Sequence, residues 1–113
     1  MWRYLINISI EYEIKKLNYL KNYREVCKDV FKIVKNIDNN ARIFVFGSVL
    51  TGNITVSSDI DILILENNKN LKDEIYIKIL KCIDAPVELH IVDNNGFKWY
   101  EKFSDNIEEI KQN

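Results

Sequence analysis

Two aspartates one residue apart, Asp59 and Asp61, are the side chains of this sequence best suited to chemistry. They stand at the start of an apolar run, Ile60–Leu65, that predicts a β-strand. Because residues i and i+2 of a strand point to the same face, the two carboxylates would lie roughly 6–7 Å apart along the chain. Burying two like charges among isoleucine and leucine is costly unless a positive charge lies between them. A hard divalent cation such as Mg²⁺ meets that need, since it takes oxygen ligands and commonly shares its shell with substrate phosphates.

Glu88 is a candidate third carboxylate for the same site. It lies in an alternating run, Val87–Val92, that predicts another strand. If helices cover the face that carries the aliphatic residues, Glu88 and His90 share the opposite face with the two aspartates, and neighbouring strands are only about 4.8 Å apart. Three carboxylates can hold two metal ions roughly 3.5–4 Å apart, which stabilises the attacking and leaving oxygens of an in-line phosphoryl displacement.

His90, the only histidine, has a more modest expected role. A lone histidine beside a carboxylate is more often a hydrogen-bonded neighbour than a catalyst. We therefore leave His90 out of the predicted catalytic set.

A small-residue turn, Gly47–Ser48, precedes the aspartates and follows the apolar run Arg42–Phe46, which predicts a first strand. Its backbone N–H groups and hydroxyl would lie close to the strand ends. Such a turn can cradle a phosphate.

The elements that must position these residues follow from hydrophobic periodicity. Steps of three and four predict an amphipathic helix from Tyr19 to Ile37 with Asn18 as its N-cap, and a second helix over Leu71–Ile83. Trp99, Phe103, Ile107 and Ile110 predict a C-terminal helix within residues 96–113. The order helix, strand, strand, helix, strand, helix predicts an α+β fold, a small mixed sheet with helices packed on one face.

The first fourteen residues are ambiguous. Alternation of Trp2, Tyr4, Ile6, Ile8, Ile10, Tyr12 and Ile14 with mostly polar neighbours predicts an extra strand or arm, although Ile10, Ile14 and Leu17 also fit a helix. Aromatic area here and around Trp99 suggests a homodimer or partner surface.

Composition sets the remaining bounds. One proline, no repeat and no low-complexity linker in 113 residues predict a single domain over residues 1–113. A net charge of −1 argues against a general nucleic-acid binder. Cys27 and Cys82 match no metal spacing and are expected to be free thiols in a reducing cytosol. With no long apolar run and no signal-peptide pattern, we expect no membrane association and a cytoplasmic location.

This sequence resembles the nucleotidyltransferase superfamily that includes DNA polymerase β. The resemblance rests on Gly47–Ser48, then ten residues, then Asp59–x–Asp61, and an acidic residue on a later strand. Length and downstream order resemble its minimal nucleotidyltransferases, the MNT proteins of prokaryotes. The resemblance covers the chain from about Tyr19 to Val92. It implies a polymerase β palm-like nucleotidyltransferase fold.

The resemblance also implies roles for individual residues. Asp59, Asp61 and Glu88 would be the catalytic carboxylates and bind Mg²⁺, as two ions or with Mn²⁺ as a substitute. The nucleoside triphosphate would be bound by a glycine- and serine-containing loop: Gly47, Ser48, Gly52 and Ser58.

The implied activity is transfer of a nucleoside monophosphate, AMP from ATP, to a hydroxyl acceptor. MNT proteins pair with HEPN-domain partners in toxin–antitoxin modules, so the acceptor is expected on such a partner. One alternative is a catalytically weak or inactive subunit that neutralises its partner by binding, because Val49, Leu50 and Thr51 stand where relatives often carry a basic residue. Another is a small-molecule-modifying enzyme resembling the aminoglycoside nucleotidyltransferases. Glu88 also departs from the more frequent aspartate.

Overall fold

A four-stranded mixed sheet forms the centre of the computed structural model, which describes residues 2–104 and 106–112. The elements in chain order are α1 (Trp2–Lys21), α2 (Tyr23–Ile37), β1 (Arg42–Phe46), α3 (Ser48–Thr51), β2 (Ile60–Leu65), α4 (Lys69–Cys82), β3 (Val87–Val92), α5 (Asn94–Phe103) and β4 (Ile107–Ile110).

The strands lie in the order β3-β2-β1-β4. β1 pairs antiparallel with both β2 and β4, whereas β2 and β3 are parallel and are joined through α4. This confirms the predicted α+β fold class, and the three predicted strands have the predicted bounds.

The aliphatic side chains of the sheet separate onto its two faces. One face carries residues such as Ile43, Ile62 and Leu89, and it packs under α1, α2 and α4 to form the main core. The other face carries Phe44, Leu63 and Leu65, which α5 covers with Phe97 and Tyr100. Helices therefore lie on both faces of the sheet, whereas the sequence predicted them on one face only, because the apolar side chains of the second face are also removed from water by a helix.

The predicted strand in the first fourteen residues is wrong, since residues 2–21 form a helix. The alternating residues whose side chains are described, Ile10, Tyr12 and Ile14, are exposed rather than half-buried. Leu20 instead is fully buried in the core, with Leu17 packed beside it. The helical spacing therefore decides the structure here.

The helix predicted from Tyr19 begins later than expected. α1 runs through to Lys21 and the chain breaks at Asn22, which is the N-cap of α2 in place of Asn18. Asn22 donates from its side-chain amide to the Asn18 carbonyl at 3.0 Å, so the two asparagines hold the junction together.

The C-terminal helix predicted within residues 96–113 is also wrong in its second half. α5 ends at Phe103, and Ile107–Ile110 forms β4, paired with the edge of β1. Glu108 bonds Arg24 and Glu109 bonds Arg42 on opposite faces, as alternation in a strand requires. The three-residue spacing of these isoleucines is also typical of a helix. Here the segment forms a strand instead, because it can make backbone hydrogen bonds with the edge of β1.

Within the described ranges, no helix is both long enough and apolar enough to cross a membrane.

Candidate functional site

Asp61, Glu88 and His90 come together at the sheet face partly covered by α5. Asp61 is directly opposite Glu88 in the parallel pairing of β2 and β3, and His90 is two residues further along β3 on the same face. One ligand atom from each of the three side chains lies within 4.8 Å of the others. Two of the predicted carboxylates, Asp61 and Glu88, therefore converge, and His90, which was not predicted as a site residue, lies with them.

The Asp61 carboxyl is electrostatically crowded. Burial, a hydrogen bond with Glu88 and the negative charges of Glu88 and Asp59 raise its pKa to about 6. Burial disfavours the ionised form because it removes water from the carboxylate, and the neighbouring negative charges disfavour it by repulsion. Below about pH 6 protonation of Asp61 relieves this repulsion, and at higher pH a bound cation would relieve it.

Gly47 makes room for this carboxyl. A Cβ atom at position 47 would overlap Asp61 Oδ2, and the backbone there has φ of 85°, in the left-handed region that favours glycine. Gly52 has a similar φ of 81° but only open space around its missing side chain. The two glycines thus serve different purposes: Gly47 fits against the acidic site, and Gly52 ends α3.

The rest of the predicted nucleotide-binding loop is held mainly by its own hydrogen bonds. The Ser48 carbonyl accepts from the Gly52 N–H at 3.0 Å and from the Thr51 hydroxyl at 3.2 Å. Ser58 Oγ accepts from the Thr55 N–H at 2.9 Å, so it closes a turn ahead of β2. Ser48 follows Gly47 immediately and lies beside the acidic site, whereas Gly52 and Ser58 shape the loop.

Asp59 is close to the site but is not one of the converging ligands. Its charge contributes to the raised pKa of Asp61, yet its Oδ1 lies 3.6 Å from Lys16 Nζ of α1. The Lys16 side chain is only 15% exposed, so α1 places a largely buried ammonium beside this carboxylate.

His90 is the site residue that sequence reasoning missed. Its Nδ1 lies 2.9 Å from the Tyr100 hydroxyl of α5, and its Nε2 lies 3.8 Å from Glu88 Oε1. The signal was present, since His90 follows Glu88 by two residues and must share its face. Its hydrogen-bonding partner on α5 was not visible in the sequence.

The donors present fit a divalent cation. Carboxylate oxygens and an imidazole nitrogen are both common metal ligands. Burial and the neighbouring carboxylates raise the pKa of Asp61, so its ionised form lacks a counter-charge at the point where these donors meet. Both the chemistry of the donors and their electrostatics therefore suit a bound cation.

Comparison with known proteins agrees with this geometry. The sequence model of the nucleotidyltransferase domain family matches residues 27–112. The crystal structure of a proposed nucleotidyltransferase superposes with a TM-score of 0.63 at 29% identity, over 74% of this chain and 96% of that one.

A second solved structure, of a proposed nucleotidyltransferase from Sulfolobus solfataricus, has 23% identity and a TM-score of 0.49, over 89% of this chain and 82% of that one. That likeness is too distant to carry an argument. None of the curated proteins is significantly similar in sequence to this chain. The match over residues 27–112 spans most of the sequence and agrees with the fold and the motif spacing. The chain therefore belongs to the nucleotidyltransferase domain family.

Proposed function

We propose that this protein transfers AMP from ATP to a hydroxyl group of an acceptor, in a reaction that depends on a divalent cation. The observation that carries the proposal is the convergence of Asp61 and Glu88 beside the Gly47–Ser48 turn. Family membership supports the general reaction, transfer of a nucleoside monophosphate from a nucleoside triphosphate. The family does not specify the nucleotide or the acceptor, so ATP and the acceptor hydroxyl are part of the proposal itself.

Each carboxylate has a distinct part in this proposal. Asp61 and Glu88 would hold the cation. Asp59 would become a third ligand if its ion pair with Lys16 broke. A bound divalent cation would neutralise phosphate charge and favour ionisation of the attacking hydroxyl. The Ser48 hydroxyl and the backbone N–H groups of the turn would bind the triphosphate, in a loop shaped by Gly52 and Ser58.

The reaction forms a bond from the acceptor oxygen to the α-phosphorus of ATP and breaks the bond to the β-phosphate, releasing pyrophosphate. Glu88 is the carboxylate best placed to accept the proton of the acceptor hydroxyl, because its side chain is 57% exposed. Asp61, which is more enclosed and lies against Gly47, would serve binding rather than proton transfer.

The acceptor is proposed to lie on a partner protein of the HEPN type, so that the chain acts as the antitoxin of a toxin–antitoxin module. The exposure of the Glu88 side chain, 57%, supports a large acceptor. Exposed apolar side chains on α1 and α5, among them Tyr12, Trp99 and Phe103, provide surfaces for such a partner or for a second copy of this chain.

A specific observation also favours a second candidate, a subunit that binds its partner without catalysis. Lys16 forms an ion pair with Asp59, and this pair would have to break before Asp59 could bind a cation. The loop residues Val49, Leu50 and Thr51 offer no positive charge to a triphosphate. Activity measurements separate this candidate from the first.

The test is incubation with ATP labelled at the α-phosphate, with Mg²⁺ or Mn²⁺, in the presence and absence of the product of the neighbouring gene. Label that becomes covalently attached to the partner supports the proposal, and the other three nucleotides tested in parallel define the base preference. Label on a small-molecule acceptor would identify a small-molecule-modifying enzyme instead. Tight partner binding without any label transfer would favour the non-catalytic candidate.

A further inference from the structure

The imidazole of His90 has one ring nitrogen engaged and the other directed at the carboxylates. Its Nδ1 is 2.9 Å from the Tyr100 hydroxyl. Its Nε2 is 3.8 Å from Glu88 Oε1, which is longer than a hydrogen bond. Among the described residues, Nε2 has no hydrogen-bond partner, although it lies within the Asp61–Glu88–His90 group.

Aromatic packing holds this ring in place. The centroid of the His90 ring lies 5.5 Å from those of Phe46 and Tyr100, which are themselves 5.8 Å apart, so the three rings form a packed triangle. Trp99 contacts the Tyr100 ring edge-on at 5.1 Å and so supports it from the outer side of α5. The His90 side chain is 26% exposed, and its orientation is therefore set by α5 and β1 rather than by solvent.

We propose that His90 Nε2 is a protein ligand of the bound cation together with Asp61 and Glu88, and that the Tyr100 hydroxyl is its positioning partner. In this arrangement the Nδ1–H donates to the Tyr100 oxygen, which leaves the lone pair of Nε2 free for the metal. Metal-ligating histidines regularly donate their second N–H to such a partner, which fixes the tautomer and the ring orientation. The inference rests on the proposed function, since it concerns the same cation.

The consequence is a change in the preferred metal. Mg²⁺ prefers an all-oxygen shell, whereas imidazole suits transition ions. Two carboxylates and one imidazole should therefore favour Mn²⁺, Co²⁺ or Zn²⁺ over Mg²⁺ more strongly than carboxylates alone. The family resemblance implies Mn²⁺ only as a substitute for Mg²⁺, whereas coordination by His90 would make a transition ion the better fit.

The distances allow one ion to be shared. Ligand atoms at about 2.1 Å from a metal are separated by at most about 4.2 Å. The His90–Glu88 separation of 3.8 Å is within that limit, and the 4.8 Å bound for the whole group requires a closure of only a few tenths of an ångström.

The sharpest test is pulsed electron paramagnetic resonance of Mn²⁺ bound to the full-length chain without a histidine tag. His90 is the only histidine in the sequence, so imidazole nitrogen coupling to Mn²⁺ can arise only from this residue. We expect a directly coordinated nitrogen signal in the wild-type protein that changes on ¹⁵N-histidine labelling. We expect His90→Gln to lose that signal and to weaken Mn²⁺ binding by about tenfold or more, with Mg²⁺ binding changed much less.

Tyr100→Phe tests the positioning role, because it removes the hydroxyl and keeps the ring. It should retain the nitrogen coupling but weaken Mn²⁺ binding by about tenfold, with little effect on Mg²⁺. Equal effects on the two metals would indicate a merely structural role for Tyr100.

The result for the wild-type protein separates this inference from the proposed function. Mn²⁺ bound without nitrogen coupling, and released by Asp61→Asn, would overturn the role of His90 while leaving a carboxylate cation site intact. Failure of Mn²⁺ to bind with or without ATP would overturn both.

Discussion

The two ends of β2 each carry a crowded carboxyl group, and they differ in what surrounds it. At the start of the strand, Asp61 meets Glu88 and His90 at a partly exposed site. Just past its end, Glu66 is 2% exposed, and its pKa is raised by burial and by the neighbouring Asp38 carboxylate. The pKa values of both carboxyls are therefore raised, although the surroundings of the two groups differ.

Glu66 is engaged in local structure. Its Oε2 accepts from the Asn68 N–H at 3.1 Å, and Asn68 in turn caps α4 by accepting from the Asn70 and Leu71 N–H groups. Its Oε1 has no hydrogen-bond partner among the residues described. Glu66 therefore supports the beginning of the helix that connects the two parallel strands.

A raised carboxyl pKa alone does not identify a functional site. Perturbed pKa values occur in structural networks as well as in active sites. Asp61 differs from Glu66 because a second carboxylate and an imidazole converge on it from an adjacent strand, and because the group is open to a ligand.

The largest expected effect is on catalysis. Asp61→Asn should lower the rate of AMP transfer by about a thousandfold, since it removes a cation ligand from the reacting centre. Glu66→Gln should leave the rate within about twofold of wild type, which makes it the matched control at the other end of β2. Initial rates with α-labelled ATP measure both, and an Asp61→Asn variant as active as Glu66→Gln would assign Asp61 a structural role.

The two left-handed glycines provide the next contrast. Gly52→Ala should lose about 1–2 kcal/mol of stability, because Gly52 is in the αL conformation. Gly47→Ala should lose more, because its φ of 85° with ψ of −155° is essentially confined to glycine and the added methyl group would overlap Asp61 Oδ2. Only Gly47→Ala brings a methyl group onto Asp61 Oδ2, so it should also lose cation binding and most of its activity. Denaturant unfolding and calorimetric Mn²⁺ titration measure these effects, and equal cation affinity in the two variants would contradict the close fit of Gly47 to Asp61.

The metal-free protein should respond to pH through both carboxyls. A carboxyl whose folded-state pKa is raised contributes most to stability when it is protonated, and that contribution is lost as pH rises, around pH 6 for Asp61. At pH 8, Asp61→Asn should therefore exceed wild type in stability by on the order of 1 kcal/mol, since the site is partly solvated. The difference should shrink below pH 5.

Cation addition distinguishes the two ends of the strand in the same unfolding experiment. Glu66→Gln should also stabilise the metal-free protein at pH 8, because burial disfavours its charge. Mn²⁺ should stabilise wild type and Glu66→Gln alike, but not Asp61→Asn. A lower stability of Asp61→Asn than of wild type at pH 8 in chelator would contradict the crowding of this carboxyl.

The smallest expected effect concerns Lys16. Lys16→Met removes a positive charge next to Asp59 and should tighten Mn²⁺ binding by a few-fold, because the ammonium repels an incoming cation. Lys15→Met is the control, since Lys15 pairs instead with the exposed Asp84 at 2.9 Å. Calorimetry that finds both variants equal to wild type would show that Lys16 does not compete for Asp59.

The parts of the fold that depend on local pattern were predictable. The three strands follow from their apolar runs, and the meeting of Asp61 with Glu88 follows from alternation and strand spacing. The parts that depend on distant partners were not. The pairing of Lys16 with Asp59 requires the path of α1, and β4 exists because the edge of β1 accepts it. For His90 the face was evident, but its orientation is determined by Tyr100 on α5.

α1 has a consequence for where this protein can be cut. The family match begins at Cys27, whereas Leu20 at the end of α1 is fully buried in the main core. A chain trimmed to the inherited segment would leave a hole where Leu20 packs and would remove Lys16 from beside Asp59. The start of the family match is therefore a poor place to begin a shortened version of this chain, because that version would lack both the Leu20 packing and the Lys16 charge beside Asp59.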